Sequence, residues 1–550
     1  MLVAEAVGRT LALLGCDTVF GVVGSGNFHV TNALVAEGAR FVAARHEGGA
    51  ATMADAYART SGKVGVLSLH QGCGLTNALT GITEAAKSRT PLVVLAAEAT
   101  SPRSNFAVDQ DALAAAVGAA PERVASGGSA VQDVMRAFRR ARDERRTVVL
   151  NLPLDVQAEL SGRLPEAAVA GLPPGPQPLR PRPQDVARLA DALAAADRPV
   201  FIAGRGARSP AARDRLLELA DATGALVATS AVSKGLFASS PWSLDVSGGF
   251  ASPLAAELIA GSDLVVGWGC SLNMWTLRHG RLIGPGAAVA QVDADPAALG
   301  AYVPVRVGVV GDVAVTAAAV THELQARFRQ ARGWRTAVLR DRLSRRIRWR
   351  DVAYDDGSAR GRIDPRTLTI ALDDLLPAER VVAVDSGNFM GYPSMFLSVP
   401  DENGFCFTQA FQSVGLGLAT AIGAALARPD RLPVAALGDG GALMGASELE
   451  TAVRLGLGMV VVVYDDAAYG AEVHHFGPDG HPLDNVQFPE ADIAAIGRGF
   501  GCEAVTVRSR EDLRGVREWL EGPRDRPLLL DAKVTRDRAS WWLDEAFRGH

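Results

Sequence analysis

Short apolar stretches recur along the chain, each closed by a glycine-rich or polar turn and followed by a segment of helical period. Thr18–Phe20, Phe41–Ala44, Lys63–Leu69 and Pro91–Ala97 read as strands, with helices at Val3–Leu14, Gly48–Thr60 and Gly74–Ser88. The alternation resumes with helix Gln184–Ala196, strand Pro199–Ala203 and helix Pro210–Thr223, then strands at Asp263–Gly267 and Ala288–Asp293. It resumes a third time with helix Pro365–Leu376 and strand Val381–Val384. Further on, the apolar run Val434–Leu437 ends in Gly438-Asp439-Gly440-Gly441. A helix-period segment follows from Ala446 to about Leu455, and a second run, Met459–Tyr464, ends in Asp465-Asp466. Apolar strands alternating with helices predict parallel sheets covered on both faces. The expected fold is α/β, with three doubly wound parallel-sheet domains at 1–162, 184–345 and 346–550. The proline-rich, unperiodic stretch 163–183 reads as a linker.

Composition narrows the function. A length of 550 residues is enough for three or four domains, and 48% hydrophobic with 21% charged residues is a globular balance. A net charge of −5 carries no basic footprint for nucleic acid. The arginine-rich stretch 323–350 reads as a solvated connecting helix. Five scattered cysteines without metal spacing suit a reducing cytosol, so a cytoplasmic location is expected. No signal-peptide layout and no run of 18 apolar residues is found, so no membrane span is expected.

Candidate chemistry concentrates between Ala436 and Glu472. In an open parallel sheet, both strand ends of this unit face one crevice, which brings Asp439 towards Asp466, 27 positions later. Glycines around Asp439 let backbone approach a phosphate, and the following helix adds free N–H groups. Two carboxylates beside such a cradle suit an oxygen-preferring cation such as Mg²⁺. The glycines at 21–26 look like a dinucleotide motif, but the third glycine is misplaced and no acidic residue closes the second strand.

Gly-Asp-Gly, a helix, a valine-rich strand, a polar pair and a Tyr-Gly turn together resemble the diphosphate and metal motif of thiamine-diphosphate enzymes. The family is that of acetolactate synthase, pyruvate decarboxylase and benzoylformate decarboxylase. The resemblance implies Mg²⁺ held by Asp439, Asp466 and the carbonyl of Ala468. Asp466 departs from the family's usual asparagine, and its extra charge needs a cation or a proton to offset it. Gly438, Gly440, Gly441 and Tyr469 would line the cofactor, as would Gly387 and Asn388 in the loop Asp385-Ser386-Gly387-Asn388. Val414 matches the residue that wedges between the cofactor's two rings, and the carbonyl of Gln412 would accept from its amino group.

The stretch Arg45-His46-Glu47-Gly48-Gly49-Ala50 resembles the same family's activating-glutamate motif. There Glu47 would hydrogen-bond the cofactor's pyrimidine, in a buried, apolar setting that raises its pKa. Ser25, in GVVGSGN, and His70, in LHQGCGLTNAL, resemble the substrate-pocket serine and proton-transfer histidine of benzoylformate decarboxylase. Glu472 stands where some decarboxylases keep a protonating acid. It is equally readable as a helix-start acid, and of His474 and His475 at most one would face the pocket. Trp541-Trp542 would cap the site as part of a mobile tail.

The resemblance implies a thiamine-diphosphate- and Mg-dependent 2-oxo acid decarboxylase or carboligase, working through a thiazolium carbanion and enamine. Alternatives are an acetolactate-synthase-like ligase that transfers an acyl group and, from another class, a non-catalytic subunit of the same fold. Cys270–Trp275 lacks the arginine by which acetolactate synthases hold an acceptor carboxylate, and Met274 stands where benzoylformate decarboxylase has a second histidine. Implied partners are a small 2-oxo acid and, for ligation, an aldehyde or second oxo acid. The implied assembly is a homodimer or homotetramer with the site between chains. Some relatives carry FAD in the central domain, but Gly204-Arg205-Gly206 alone does not support it here.

Overall fold

Eighteen strands build three six-stranded, all-parallel sheets among the residues described by the computed structural model, which are 1–546 except 163, 165, 174 and 327–332. The first sheet contains β1 (Thr18–Gly21), β2 (Arg40–Ala43), β3 (Gly65–Leu69), β4 (Leu92–Glu98), β5 (Ala120–Arg123) and β6 (Thr147–Pro153), in the order β2-β1-β3-β4-β6-β5. The second contains β7 (Pro199–Ala203), β8 (Leu226–Thr229), β9 (Ser243–Val246), β10 (Leu264–Trp268), β11 (Ala288–Asp293) and β12 (Val307–Val310), ordered β12-β11-β10-β7-β8-β9. The third contains β13 (Arg380–Val384), β14 (Phe405–Phe407), β15 (Leu432–Gly438), β16 (Val460–Asp465), β17 (Glu503–Val507) and β18 (Leu528–Lys533), ordered β14-β13-β15-β16-β18-β17. The first and third sheets therefore share one strand order. Each reverses strand order between its second and third strands, β1 and β3 or β13 and β15, and ligand crevices of such sheets open there.

The two like domains are joined by small side chains. The Glu47–Ser61 helix presents Ala50, Ala51 and Ala54, all fully buried, to its neighbours. It lies between the Cys73–Lys87 helix and the Gly417–Ala427 helix of the third domain. A Cβ on Gly423 would sit 2.2 Å from the Met53 carbonyl oxygen, and one on Gly81 would sit 2.7 Å from Ala51 Cβ. One hydrophobic core consequently runs from Phe20 and Leu67, through Met53 and Ile422, to Leu437 and Val461.

Most expected elements are present within a residue or two, and three readings need correction. Asp439 opens a short helix, Asp439–Met444, before the helix Glu448–Arg454, because glycine at 440 and 441 does not prevent a turn that caps β15. Part of the expected linker is folded: Leu164 and Val169 are buried against Val131, and Arg9 pairs with Glu166 at 2.7 Å. The arginine-rich stretch is not one helix. The Val313–Ala326 and Ala337–Arg346 helices are separate, with 327–332 outside the described residues.

In an open helix Gly→Ala gains up to about 1 kcal/mol from propensity. Gly423→Ala is expected instead to destabilise the protein by about 1–3 kcal/mol, since the added methyl meets backbone across the interface. Chemical denaturation reads the sign; a stabilised variant would contradict this packing.

Candidate active site

At the first reversal, the loop leaving β1 is fixed by Asn27, whose side chain is fully buried. Its Oδ1 accepts from the Gly24 N–H at 2.9 Å, and its Nδ2 donates to Ser68 Oγ at 3.0 Å. Ser25 is thereby held outward and exposed. Across the crevice, His70 follows β3 directly. The Gly26 N–H donates to His70 Nδ1 at 3.2 Å, and Phe106 stands edge-on to the imidazole with ring centroids 5.1 Å apart. A Cβ on Gly24 would meet Nδ1 at 2.7 Å, so glycine is what lets this loop close on the ring.

An N–H aimed at Nδ1 needs a lone pair there. The neutral ring consequently carries its proton on Nε2, and the imidazolium would set N–H against N–H. Burial also pushes the His70 pKa below its ordinary value, with the negative charge of Glu47 partly opposing it. Glu47 and His70 thus share one electrostatic neighbourhood.

Glu47 is the first residue of its helix, after an extended His46 whose Nδ1 accepts from the Gly48 N–H at 3.0 Å. Its Oε2 accepts from Asn77 Nδ2 at 3.1 Å. The expected buried, apolar setting is not found around this carboxyl in a single chain. Ala50, Ala51 and Met53 are buried between helices, whereas Glu47 at the helix start is only half-buried.

At the second reversal, Asp385 is fully buried below the loop that carries Gln412 and Val414. It accepts N–H groups from Ser386 (2.8 Å), Gly415 (3.0 Å) and Leu416 (3.2 Å). Burial raises its pKa to about 6 against these donors. Asp385 thus shapes the loop rather than lining a diphosphate. The same loop holds Gln412 at φ 60°, a left-handed conformation costly for a side chain with a Cβ.

The glycine cradle is equally tight. A Cβ on Gly441 would lie 2.2 Å from Asp385 Oδ2 and 3.3 Å from Val414 Cγ1. One on Gly438 would lie 3.1 Å from the Phe389 ring, and one on Gly440 3.6 Å from the Tyr469 ring. A Cβ on Gly470 would lie 2.3 Å from Asp466 Oδ2 and 3.3 Å from Asn388 Nδ2. Gly438, Asp439, Gly440, Gly441, Asn388, Val414, Asp466 and Tyr469 therefore converge, with Gly387 turning the chain at φ 142°.

Asp439 and Asp466 interact through their charges. Burial, then Asp466 and Asp465, raise the Asp439 pKa to about 7; burial, then Asp465, raise that of Asp466 to about 6. Such a pair takes up a proton or a cation. Ala468 faces Gln487 between the bonds Tyr469 N–H to Val486 O and Phe488 N–H to Ala467 O, both 2.9 Å. This is the non-hydrogen-bonded position of an antiparallel pair, so the Ala468 carbonyl is not used by the ladder. Its N–H goes to Asp466 Oδ1 at 3.2 Å.

Asp465 has a different task. Its carboxylate is buried and pairs with Lys533, which also reaches Asp531 at 3.0 Å. Arg536 donates to the Asp466 carbonyl at 3.3 Å. None of these partners is signalled by a motif.

Other expected residues flank this convergence. Glu472 is exposed on the Gly470–Phe476 helix, and His474 and His475 are half-buried farther along it. The tail is docked: Trp542 Nε1 donates to the Asn388 carbonyl at 2.9 Å, and the Ser540 N–H to Asn388 Oδ1 at 3.1 Å. Near Met274, Arg278 donates to the carbonyls of Gly248 and Ala251 and lies over the Trp541 ring. In the central sheet, Gly206 N–H bonds the Gly269 carbonyl at 2.9 Å, and a Cβ on Gly204 would lie 2.4 Å from it. The chain's own backbone occupies that sheet's reversal point.

Three family descriptions match the chain in order. "Thiamine pyrophosphate enzyme, N-terminal TPP binding domain" covers residues 1–117, the central domain 186–320, and the C-terminal TPP binding domain 385–532. A probable 2-ketoarginine decarboxylase from Pseudomonas aeruginosa is 31% identical over 521 residues, covering 92% of this chain and 89% of the relative. A sulfoacetaldehyde acetyltransferase from Castellaniella defragrans is 28% identical, covering 93% and 89% respectively. An acetolactate synthase large subunit from Parasynechococcus marenigrum is also 28% identical, covering 97% and 87%.

The His70 geometry has a spectroscopic signature. Side-chain ¹⁵N NMR is expected to show a neutral ring protonated at Nε2 near pH 7, with a titration midpoint below the ordinary 6.5. An Nδ1–H tautomer would contradict the bond from Gly26.

Proposed function

The chain belongs to the thiamine pyrophosphate enzyme family, and on that premise we propose that it is a thiamine-diphosphate- and Mg-dependent 2-oxo acid decarboxylase with carboligase capacity. The residues fit the metal and the cofactor. Asp439, Asp466 and the Ala468 carbonyl, which the ladder leaves unused, offer the all-oxygen donor set that Mg²⁺ takes. Gly438, Gly440, Gly441, Gly387 and Asn388 leave the close backbone approach that a diphosphate uses. When bound, thiamine diphosphate supplies a thiazolium carbon that adds to a 2-oxo acid and accepts the electrons released as CO₂ leaves.

The protein's part is binding, orientation and proton placement. Glu47 would hold a proton on its carboxyl towards the pyrimidine ring, with Asn77 fixing the carboxyl's direction. Val414 would separate the two rings, and the Gln412 carbonyl would accept from the amino group. His70 carries the reading towards decarboxylation: it is a neutral Nε2–H donor in the same neighbourhood as Glu47, at the mouth of a sheet reversal. As a neutral ring, His70 would orient the substrate or a proton-bearing water by hydrogen bonding through Nε2–H, and Glu472 is the second candidate for protonating the product carbon.

The site is also proposed to form between two copies of the chain. Glu47 is half-open in one chain, and Val414, Leu443, Met444 and Tyr469 are all exposed beside the cradle, Val414 at 41%. Exposed apolar residues around a polar cradle suit burial by a partner.

Two experiments test these points. Purified protein with thiamine diphosphate and Mg²⁺ is offered pyruvate or benzoylformate, with and without an aldehyde, and products are identified by NMR. Free aldehyde is expected, with Glu47→Gln lowering kcat about 10²–10⁴-fold. An acyloin or acetohydroxy acid as the sole product would make the enzyme a ligase, and full activity of Glu47→Gln would contradict the mechanism. Separately, inactive Glu47→Ala and Asp439→Ala chains are mixed under exchange conditions. Recovery of activity is expected if each site draws on two chains, and no recovery would contradict a shared site.

A further inference from the structure

The two like domains hold each other's loops by the same device. Glu84 lies on the Cys73–Lys87 helix, which follows β3, and its side chain is buried. It reaches into the third domain, where Oε1 accepts from the Ala410 N–H at 3.1 Å and Oε2 from the Phe411 N–H at 2.6 Å. Glu448 opens the second helix after β15, the strand that corresponds to β3 in the shared order, and is 2% exposed. It reaches the other way, accepting from the Arg45 N–H at 3.1 Å and the His46 N–H at 3.0 Å.

Each target pair lies in the loop after a strand of the same rank, β14 or β2, and stands directly before the residues read as cofactor-facing: Gln412 and Val414 in one case, Glu47 in the other. A buried carboxylate satisfies both N–H groups of each pair at once, Glu84 with one oxygen each and Glu448 chiefly through Oε1. Arg59 balances Glu84 at 2.8 Å while also pairing with Asp55. A Cβ on Gly49 would lie 2.5 Å from Glu448 Oε1, so glycine makes room for the crossing.

We propose that Glu84 and Glu448 are reciprocal positioning residues: each, from the opposite domain, fixes the loop that presents a cofactor-facing residue. Neither touches the cofactor. The functional part of this inference rests on the thiamine-diphosphate reading; the mechanical part rests on the crossed hydrogen bonds alone.

The test uses the full chain with Glu84→Gln, Glu448→Gln and the control Asp55→Asn, which weakens the Arg59 network without removing an acceptor from either loop. In Glu84→Gln an amide keeps one acceptor and turns an NH₂ against the second N–H; in Glu448→Gln the oxygen that takes both N–H groups loses its charge, and an NH₂ replaces the oxygen that accepts from Thr451 and from the Arg45 N–H at 3.3 Å. Amide hydrogen exchange without cofactor is expected to speed up about tenfold at 408–416 in Glu84→Gln and at 44–48 in Glu448→Gln. Each change should be confined to the opposite domain's loop. Calorimetry is expected to show thiamine diphosphate with Mg²⁺ binding about tenfold more weakly to both variants and near normally to Asp55→Asn. Equal loosening of both loops in all three variants, or no change in either, would overturn the proposal. If the unaltered protein binds no thiamine diphosphate, the functional reading fails, and the exchange data still decide whether the loops are held this way.

Discussion

The close approach of two helices, Glu47–Ser61 and Gly417–Ala427, is the constraint on which the rest depends. Alanines on one and Gly423 on the other bring backbone to within contact distance of backbone, and no larger side chain fits. That contact merges the cores of two domains that share a strand order. It also fixes how their sheet reversals stand relative to each other. A buried carboxylate from each domain can then span the junction, as Glu84 and Glu448 do. Loops that would otherwise be free at strand ends become parts of a rigid frame.

Electrostatics then distinguish residues that look alike. Asp465 and Asp466 are adjacent, yet successive side chains at a strand end point to opposite sides. Asp465 turns inward to Lys533, and Asp466 turns to the crevice beside Asp439. Burial and the crowding of carboxylates around Asp439 favour a proton or a cation there, whereas Asp465 is neutralised by Lys533. Arg536 and the Ala468 N–H ease the extra charge that aspartate brings at 466.

Much of the fold was legible because buried parallel strands are unbroken apolar runs, and those runs end where the crevices open. Asp439 and Glu47 stood out as candidates because local glycine patterns surround them. Their supports were not. Glu84 reads as one polar residue on an amphipathic helix, and its partners lie 326 and 327 positions away. Asn27 looks like an ordinary turn residue, although it is buried and fixes the loop of Ser25. Asp385 sits in a loop that reads as phosphate-facing, but its carboxylate points down to Gly415 and Leu416. Long-range pairing and side-chain direction carry no local signal. The burial expected around Glu47 is not found because the carboxyl stands at the open start of its helix, whereas Ala50, Ala51 and Met53 are buried between helices.

The most direct measurement is calorimetric titration of thiamine diphosphate into the protein, with Mg²⁺ and again with the divalent cation chelated. The account predicts saturable binding with Mg²⁺ and its loss on chelation, because Asp439, Asp466 and the diphosphate cannot share the crevice without a cation. Absence of binding in the presence of Mg²⁺, or equal binding with the cation removed, would contradict it.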